Sequence, residues 1–289
     1  MGAAVLLVIS VPCFATLPWS LRRYEGRAGD EVRQRLGPSW REVMGTDALG
    51  RSLLWRCLLG GAISLGIGAS AALIAVAIGV TWGATAALAG GRVDALMMRM
   101  VDVLFGLPYI LLVVLIDIGL GPTVENSLRW LAADVAAGLA DVVTLLVAIG
   151  GLSWLTMARV IRGQVLSLRE RPFVEAARAC GAGPLGMLIR HMLPNLVGPI
   201  VVYATLTVPA AILAESTLSF LGIGVQAPLP SWGNLASEGL EELHALARRD
   251  TGVAWWLIFW PCTLLGLTLM ALNFMGDALR NRLDPHRTG

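Results

Sequence analysis

Apolar and polar positions alternate along this chain in long blocks. Charge-free runs of roughly 17 residues or more are long enough to cross about 30 Å of hydrocarbon as a helix. Five are plain: Met1 to Leu21, Cys57 to Gly91, Val142 to Ala158, Met192 to Ala214 and Thr251 to Gly276. A sixth, Val103 to Gly121, is broken only by Asp117. The pattern predicts an all-α integral membrane protein, a single domain over residues 1–289, with six spans at about 2–21, 60–89, 100–121, 140–160, 195–215 and 253–276. Between Thr123 and Asp141, Leu128, Leu131, Ala132, Val135, Ala136 and Leu139 recur at helical spacing with charges on the other face, which predicts an amphipathic helix on the outer membrane surface.

The polar stretch 159–195 reads as two short helices. Pro172 suits a first helical turn, where no intrahelical bond is lost, and Glu175 complements the dipole there. Gly181 stops that helix, with a left-handed backbone expected. Gly183 and Pro184 start a second helix from Leu185 to Leu193, which Pro194 is expected to interrupt. A first helix of about nine residues is too short to be stable alone in water and needs a surface to dock on. Ala176, Ala177 and Cys180 leave one side with small side chains, open to close approach.

Composition agrees with the pattern. The chain is 56% hydrophobic and 15% charged, with mean hydropathy +0.71. All 22 basic residues are arginine. A nucleotide-binding P-loop needs its lysine, so ATP chemistry by that motif falls to another subunit. A net charge of +2 offers no basis for nucleic-acid binding. The cysteines Cys13, Cys57, Cys180 and Cys262 and the histidines His191, His244 and His286 lie apart, without metal-ligand or redox spacing, so no metal or bound cofactor is assigned.

Four motifs carry a resemblance. Glu175-Ala176-Ala177, Arg178, Gly181, His191 and Leu193-Pro194 have the spacing of the EAA loop of ABC importer permeases, in the variant of the dipeptide, oligopeptide and nickel family. Gly45-Thr46-Asp47-Ala48-Leu49-Gly50-Arg51 resembles GTDxLGR, although Ser52 follows where the family has aspartate. Both residues cap helices, so a helix is expected from Leu53, and a structural role is preferred for this motif. Gly90, Gly91, Asp94, Arg99 and Asp102 match GGxxDxxxxRxxD. Glu215 to Gly222, Gln226, Pro228, Pro230 and Ser231-Trp232-Gly233 form the fourth motif, a folded loop, with Trp232 suited to an interface. The match covers the chain from about Gly37 onward.

The resemblance implies a type I ABC importer permease in a bacterial or archaeal inner membrane. It would pair with a second, similar permease, two cytoplasmic ATPase subunits that hydrolyse ATP with Mg, and an extracytoplasmic substrate-binding protein. Stretch 159–195 would be the coupling loop to the ATPase, and peptides the default substrate, with nickel, glutathione or sugars open. The chain itself would not be an enzyme.

Three acids are pathway candidates. Asp102 can pair with Arg99 three residues away, which is preferred to a role in the path. Asp117 sits inside a span, yet Gly121-Pro122 one turn later suggests that it reaches the outer interface. Glu215 either lines the pathway or caps its loop, and both readings stay open. Pro108 is expected to kink the third span.

Orientation is the awkward point. Arg22, Arg23 and Arg27 follow the first span, and the positive-inside rule on that helix alone would hold them in the cytoplasm. Arg159, Arg162, Arg169, Arg171, Arg178 and Arg190 outvote them, so the loop at Arg92 and the tail after Asp277 are expected inside, and Gly45–Arg51 and Ser231–Gly233 outside. A cleaved signal peptide is disfavoured for lack of a charged n-region. An ATP-independent secondary transporter or channel is the alternative; an intramembrane enzyme lacks GxGD, HExxH and any histidine within a span.

Overall fold

A computed structural model describes residues 2–24, 33–128, 133–249 and 254–283, without the side chains at 133–137, 246–249 and 283. Among these residues the regular structure is helical, apart from one isolated bridge between Thr46 and Ser52. Among the described residues five helices are long and apolar enough to span a membrane, or six spans if a bent pair that passes the same test together is counted as one.

That pair is α1 (Gly2–Ala15) and α2 (Leu17–Arg23), turned by 60° at Thr16. The expected straight first span is therefore two helices. Pro18 lacks an N–H to continue α1, while it fits the first turn of α2, and Thr16 Oγ1 closes the end of α1 by donating to the Pro12 carbonyl at 2.6 Å.

The core is the seam between α3 (Leu53–Ala89) and α6 (Ala133–Arg169). Alanines and glycines of α3 let the two backbones approach closely. A Cβ on Gly83 would lie 2.3 Å from the Ala158 carbonyl oxygen, and one on Gly79 would lie 2.5 Å from Met157 Cβ. Ala71, Ala75, Ala148, Ile149, Leu152, Leu155 and Ala158 are buried along this contact.

Gly90 and Gly91, both with positive φ, turn the chain from α3 into α4 (Gly91–Phe105). Pro108 does more than kink the third span. The chain leaves helix at Gly106-Leu107-Pro108, and the span is α5 (Tyr109–Ser127), starting nine residues later than expected. Pro108 takes an extended ψ of 119° as the residue before α5, and Pro122 is accommodated within it. The separate surface helix expected at 123–141 is replaced among the described residues by the last turns of α5 and the first of α6. Residues 129–132 lie outside the described residues, as does Arg27.

The chain returns through α7 (Pro172–Ala179) and α8 (Pro184–Met187). A π turn, Leu188–Met192, then leads directly into α9 (Leu193–Phe220). Pro194 was expected to interrupt here. Instead it falls in the first turn of α9, where the widened π turn shifts the bonding register and spares a missing N–H. A loop, 221–231, leads to α10 (Trp232–Arg249), an amphipathic helix, and then to α11 (Trp256–Leu283).

Candidate functional site

The hairpin α7–α8 sits at one end of the bundle. Arg171, in extended conformation, precedes Pro172, and Glu175 lies in the first turn. Gly181 has φ +84°, and its N–H donates to Arg178 O at 3.0 Å while Ala182 N–H donates to Ala177 O at 3.1 Å. These two bonds are the Schellman closure that a left-handed glycine allows. Val174, Met187 and Met192 anchor the hairpin among Ala84, Ala87, Ile161, Val165 and Leu196. Arg169 Nη1 ties its root to α3 through the Ala87 carbonyl, at 2.6 Å.

The other face is bare. Glu175, Ala176, Arg178, Cys180 and Gly181 are exposed, with the apolar side chains of Phe173, Leu185 and Ile189 beside them, and Ala177 is half-buried. His191 is half-buried and its carbonyl accepts from Asn195 Nδ2 at 2.7 Å. Leu193 and Pro194 belong to α9 rather than to the hairpin, so the predicted residues divide between two elements.

Next to this end, α4 is tied to α6 by two ion pairs. Arg162 is bidentate on Asp94, at 2.6 and 2.7 Å, and Arg159 Nη2 meets Asp102 Oδ1 at 2.7 Å. Asp102 thus pairs across helices and not with Arg99: α4 turns its acid towards α6, where Arg159 also lies over the Phe105 ring at 4.0 Å. The Arg162 guanidinium holds the Asp94 carboxyl below the usual carboxylate range.

The remaining motifs meet at the opposite end. Asp47 Oδ1 accepts from Leu49 N and Arg51 N, each at 2.9 Å, and its Oδ2 accepts from Arg51 Nε at 2.6 Å and Arg56 Nη1 at 3.0 Å. Arg56, buried, is in turn bidentate on Glu238 of α10 at 2.6 and 2.9 Å. Thr46 is buried, its hydroxyl accepting from Leu36 N at 2.8 Å. Gly45 and Gly50 take positive φ, and a Cβ on Gly45 would strike the Leu36 carbonyl oxygen at 2.7 Å. Ser52 precedes α3 without a side-chain cap. The helix start is held instead by Leu53 N donating to Gly45 O at 3.0 Å and by the bridge to Thr46.

Glu215 is fully buried, accepting from Ser64 Oγ at 2.7 Å, Ser219 Oγ at 2.8 Å and Ser216 Oγ at 3.2 Å. Ser219 Oγ also accepts from Val225 N at 3.0 Å, so the carboxylate holds loop 221–231 against α3. Trp232 does not sit at an interface. It is wholly buried, its indole donating to Cys57 O at 3.0 Å, because a Cβ on Gly233 would lie 2.2 Å from Ser216 O and that contact draws the start of α10 into the bundle. Ser231 is buried with it.

A groove of about 460 Å³ runs between α4, α5, α6 and α9. Tyr109, Ser153, Thr156, Tyr203 and Thr207 give it scattered hydroxyls among leucine and alanine. None of Asp102, Asp117 and Glu215 lines it. Asp117 is half-buried on α5. The three acids therefore lie outside this groove. Arg56 and Glu238 went unnoticed as a pair. An arginine at the edge of an apolar run, and glutamates spaced helically after Trp232, were the available signals.

Residues 75–289 match the family described as binding-protein-dependent transport system inner membrane component. The dipeptide transport system permease protein DppC of Bacillus subtilis (strain 168) is 42% identical over 254 residues, covering 88% of this chain and 72% of the relative. The oligopeptide transport system permease protein OppC of Escherichia coli (strain K12) is 38% identical over 285 residues, covering 98% and 86%. In fold, the chain resembles one from a structure of inward-facing conformations of the MetNI methionine ABC transporter. That likeness has a TM-score of 0.56 and 18% identity, and covers 80% of this chain and 98% of that one. The family match decides against an ATP-independent transporter or channel. The chain belongs to the binding-protein-dependent transport system inner membrane components, as a permease subunit of an ABC importer.

Proposed function

We propose that this chain forms half of the translocation pathway of a peptide importer, with a second homologous permease forming the other half. Peptides follow from what the relatives are named for, dipeptide and oligopeptide transport. Two ATPase subunits, which hold the ATP and Mg, would dock at the α7–α8 hairpin, and a substrate-binding protein would meet the end that carries Asp47 and α10. The hairpin end and the tail after Asp277 then face the cytoplasm.

The observation that carries this reading is the hairpin itself, closed by Gly181 and anchored through Val174 and Met187, with an exposed face of Phe173, Glu175, Ala176, Arg178 and Leu185. Eight residues of helix gain little stability alone, so a bare face on so short an element is supported by docking to another surface. The groove lined by Tyr109, Ser153 and Thr207 is suited to become a wall of a shared pathway. Its few hydroxyls among apolar groups would serve peptide backbones of varied sequence.

The test is Gly181→Val. A Cβ there meets nothing within 4 Å, so the whole penalty is conformational, at least about 1–2 kcal/mol for a non-glycine residue at positive φ. The variant should insert and pair with its partner permease, yet lose ATPase co-purification or substrate-stimulated hydrolysis. Normal docking, stimulation and uptake would refute the hairpin's role.

A further inference from the structure

Arg23, one of the arginines that conflict with the positive-inside rule, lines a pocket. At the end opposite the coupling hairpin, a recess of about 480 Å³ is lined by Arg23, Arg33, Arg41, Glu42, Ser52 and Trp55, among others. Its lining carries three guanidiniums and one carboxylate. Glu42 is bonded to Arg33, whose buried Nε keeps no acceptor. Arg23 lies 5.2 Å from the centroid of the Trp55 ring and is exposed, as is Arg41, and neither forms an ion pair among the described residues. Two positive charges are left over on the described lining.

We infer that this recess binds the phosphate headgroup of an anionic membrane lipid, with Arg23 and Arg41 as its ligands. Guanidinium matches phosphate geometry with paired donors. The recess sits where a headgroup would be, because α2 bends 60° away from the first span and presents Trp19 and Leu21 exposed beside Arg23. An apolar and aromatic rim next to arginine is the composition that bilayer interfaces favour. The surplus positive charge of the described lining selects an anionic lipid over a zwitterionic one, whose ammonium would be repelled. The lipid also eases the orientation conflict at Arg23, since a headgroup neutralises an arginine held on the disfavoured side.

The test is native mass spectrometry of the assembled complex, extracted from membranes containing phosphatidylglycerol and phosphatidylcholine. The wild type should retain phosphatidylglycerol preferentially, and Arg23→Gln/Arg41→Gln should retain roughly tenfold less or lower still, from the loss of two arginines at an anionic surface. Arg23→Lys/Arg41→Lys should keep most of the binding. Arg99→Gln on α4 is the control and should change nothing. Should the double variant fail to assemble, Arg41→Gln alone carries the test, because Arg41 forms no ion pair among the described residues. Equal retention by wild type and glutamine variants, or by both lipids, overturns the assignment. Displacement by millimolar inorganic phosphate overturns it in favour of a free anion, and loss of binding-protein docking by the variant in purely zwitterionic bilayers overturns it in favour of a protein contact.

Discussion

Asp47 shows what one residue does here. Its carboxylate closes the turn before α3 through two backbone N–H groups and also faces buried Arg56, which reaches on to Glu238. Removing one partner from a buried charge costs about 3–5 kcal/mol, because the ion left behind has lost water without compensation. Asp47→Ala is expected at the lower end, near 3 kcal/mol, as Glu238 still pairs with Arg56. The measurement is thermal unfolding of the purified complex together with its membrane level. An unchanged midpoint would mean the network is dispensable. The sequence exposed the Asp47 motif and its structural role was preferred, but its partners were not visible. Arg56 lies 182 positions from Glu238, and no local pattern links them. Glu215 was visible as an acid near a span, yet its serine neighbours come from two helices and could not be read from spacing.

Helix α4 is where the reading by element departed furthest from the structure. Apolar periodicity merged its end into the third span, because Val101, Val103, Leu104 and Phe105 continue the apolar run to Pro108. Sequence isolated the polar positions Asp94, Arg99 and Asp102 but paired Asp102 with Arg99 within one helix, whereas Asp102 meets Arg159 and Asp94 meets Arg162, both on α6. The hairpin was more legible, since Pro172, Gly181, Gly183 and Pro184 act through local backbone preferences. The π turn was not, because it depends on how α9 is carried into the bundle. The α4–α6 latch gives a pH test. Arg162 lowers the Asp94 pKa in the folded chain, so the stabilisation is present above the ordinary carboxylate value of 3.8 and is lost as pH falls through the lowered one. Asp94→Asn should lower the unfolding midpoint, at a cost on the order of 1 kcal/mol for a partly exposed pair. The difference from wild type should hold from neutral pH to about 5 and close only below about 4. A difference that closes near neutrality would point to another titrating group.

Across the whole molecule, long apolar runs announced the class and, with the bent first pair counted as one span, the six spans, because bilayer thickness imposes one length on them all. How those spans pack was less accessible. Small residues marked α3 as a packing helix, while its pairing with α6 emerges only when Gly79 and Gly83 are set against Met157 and Ala158. That seam has a mechanical consequence. Two helices whose backbones touch cannot slide without collision, so α3 and α6 share one set of degrees of freedom and move as a single lever whenever the permease changes state. A Cβ built on Gly150 would lie 3.1 Å from Ile74 Cβ, close to the range that a disulfide spans. Ile74→Cys with Gly150→Cys should therefore oxidise readily and leave ATP-driven uptake intact, whereas arrested transport that recovers on reduction would place a sliding joint in this seam. If the lever is one body, the hinges of the transport cycle lie at its margins: at Gly90-Gly91, where α3 gives way to α4, and at Gly106 to Pro108, where α4 gives way to α5.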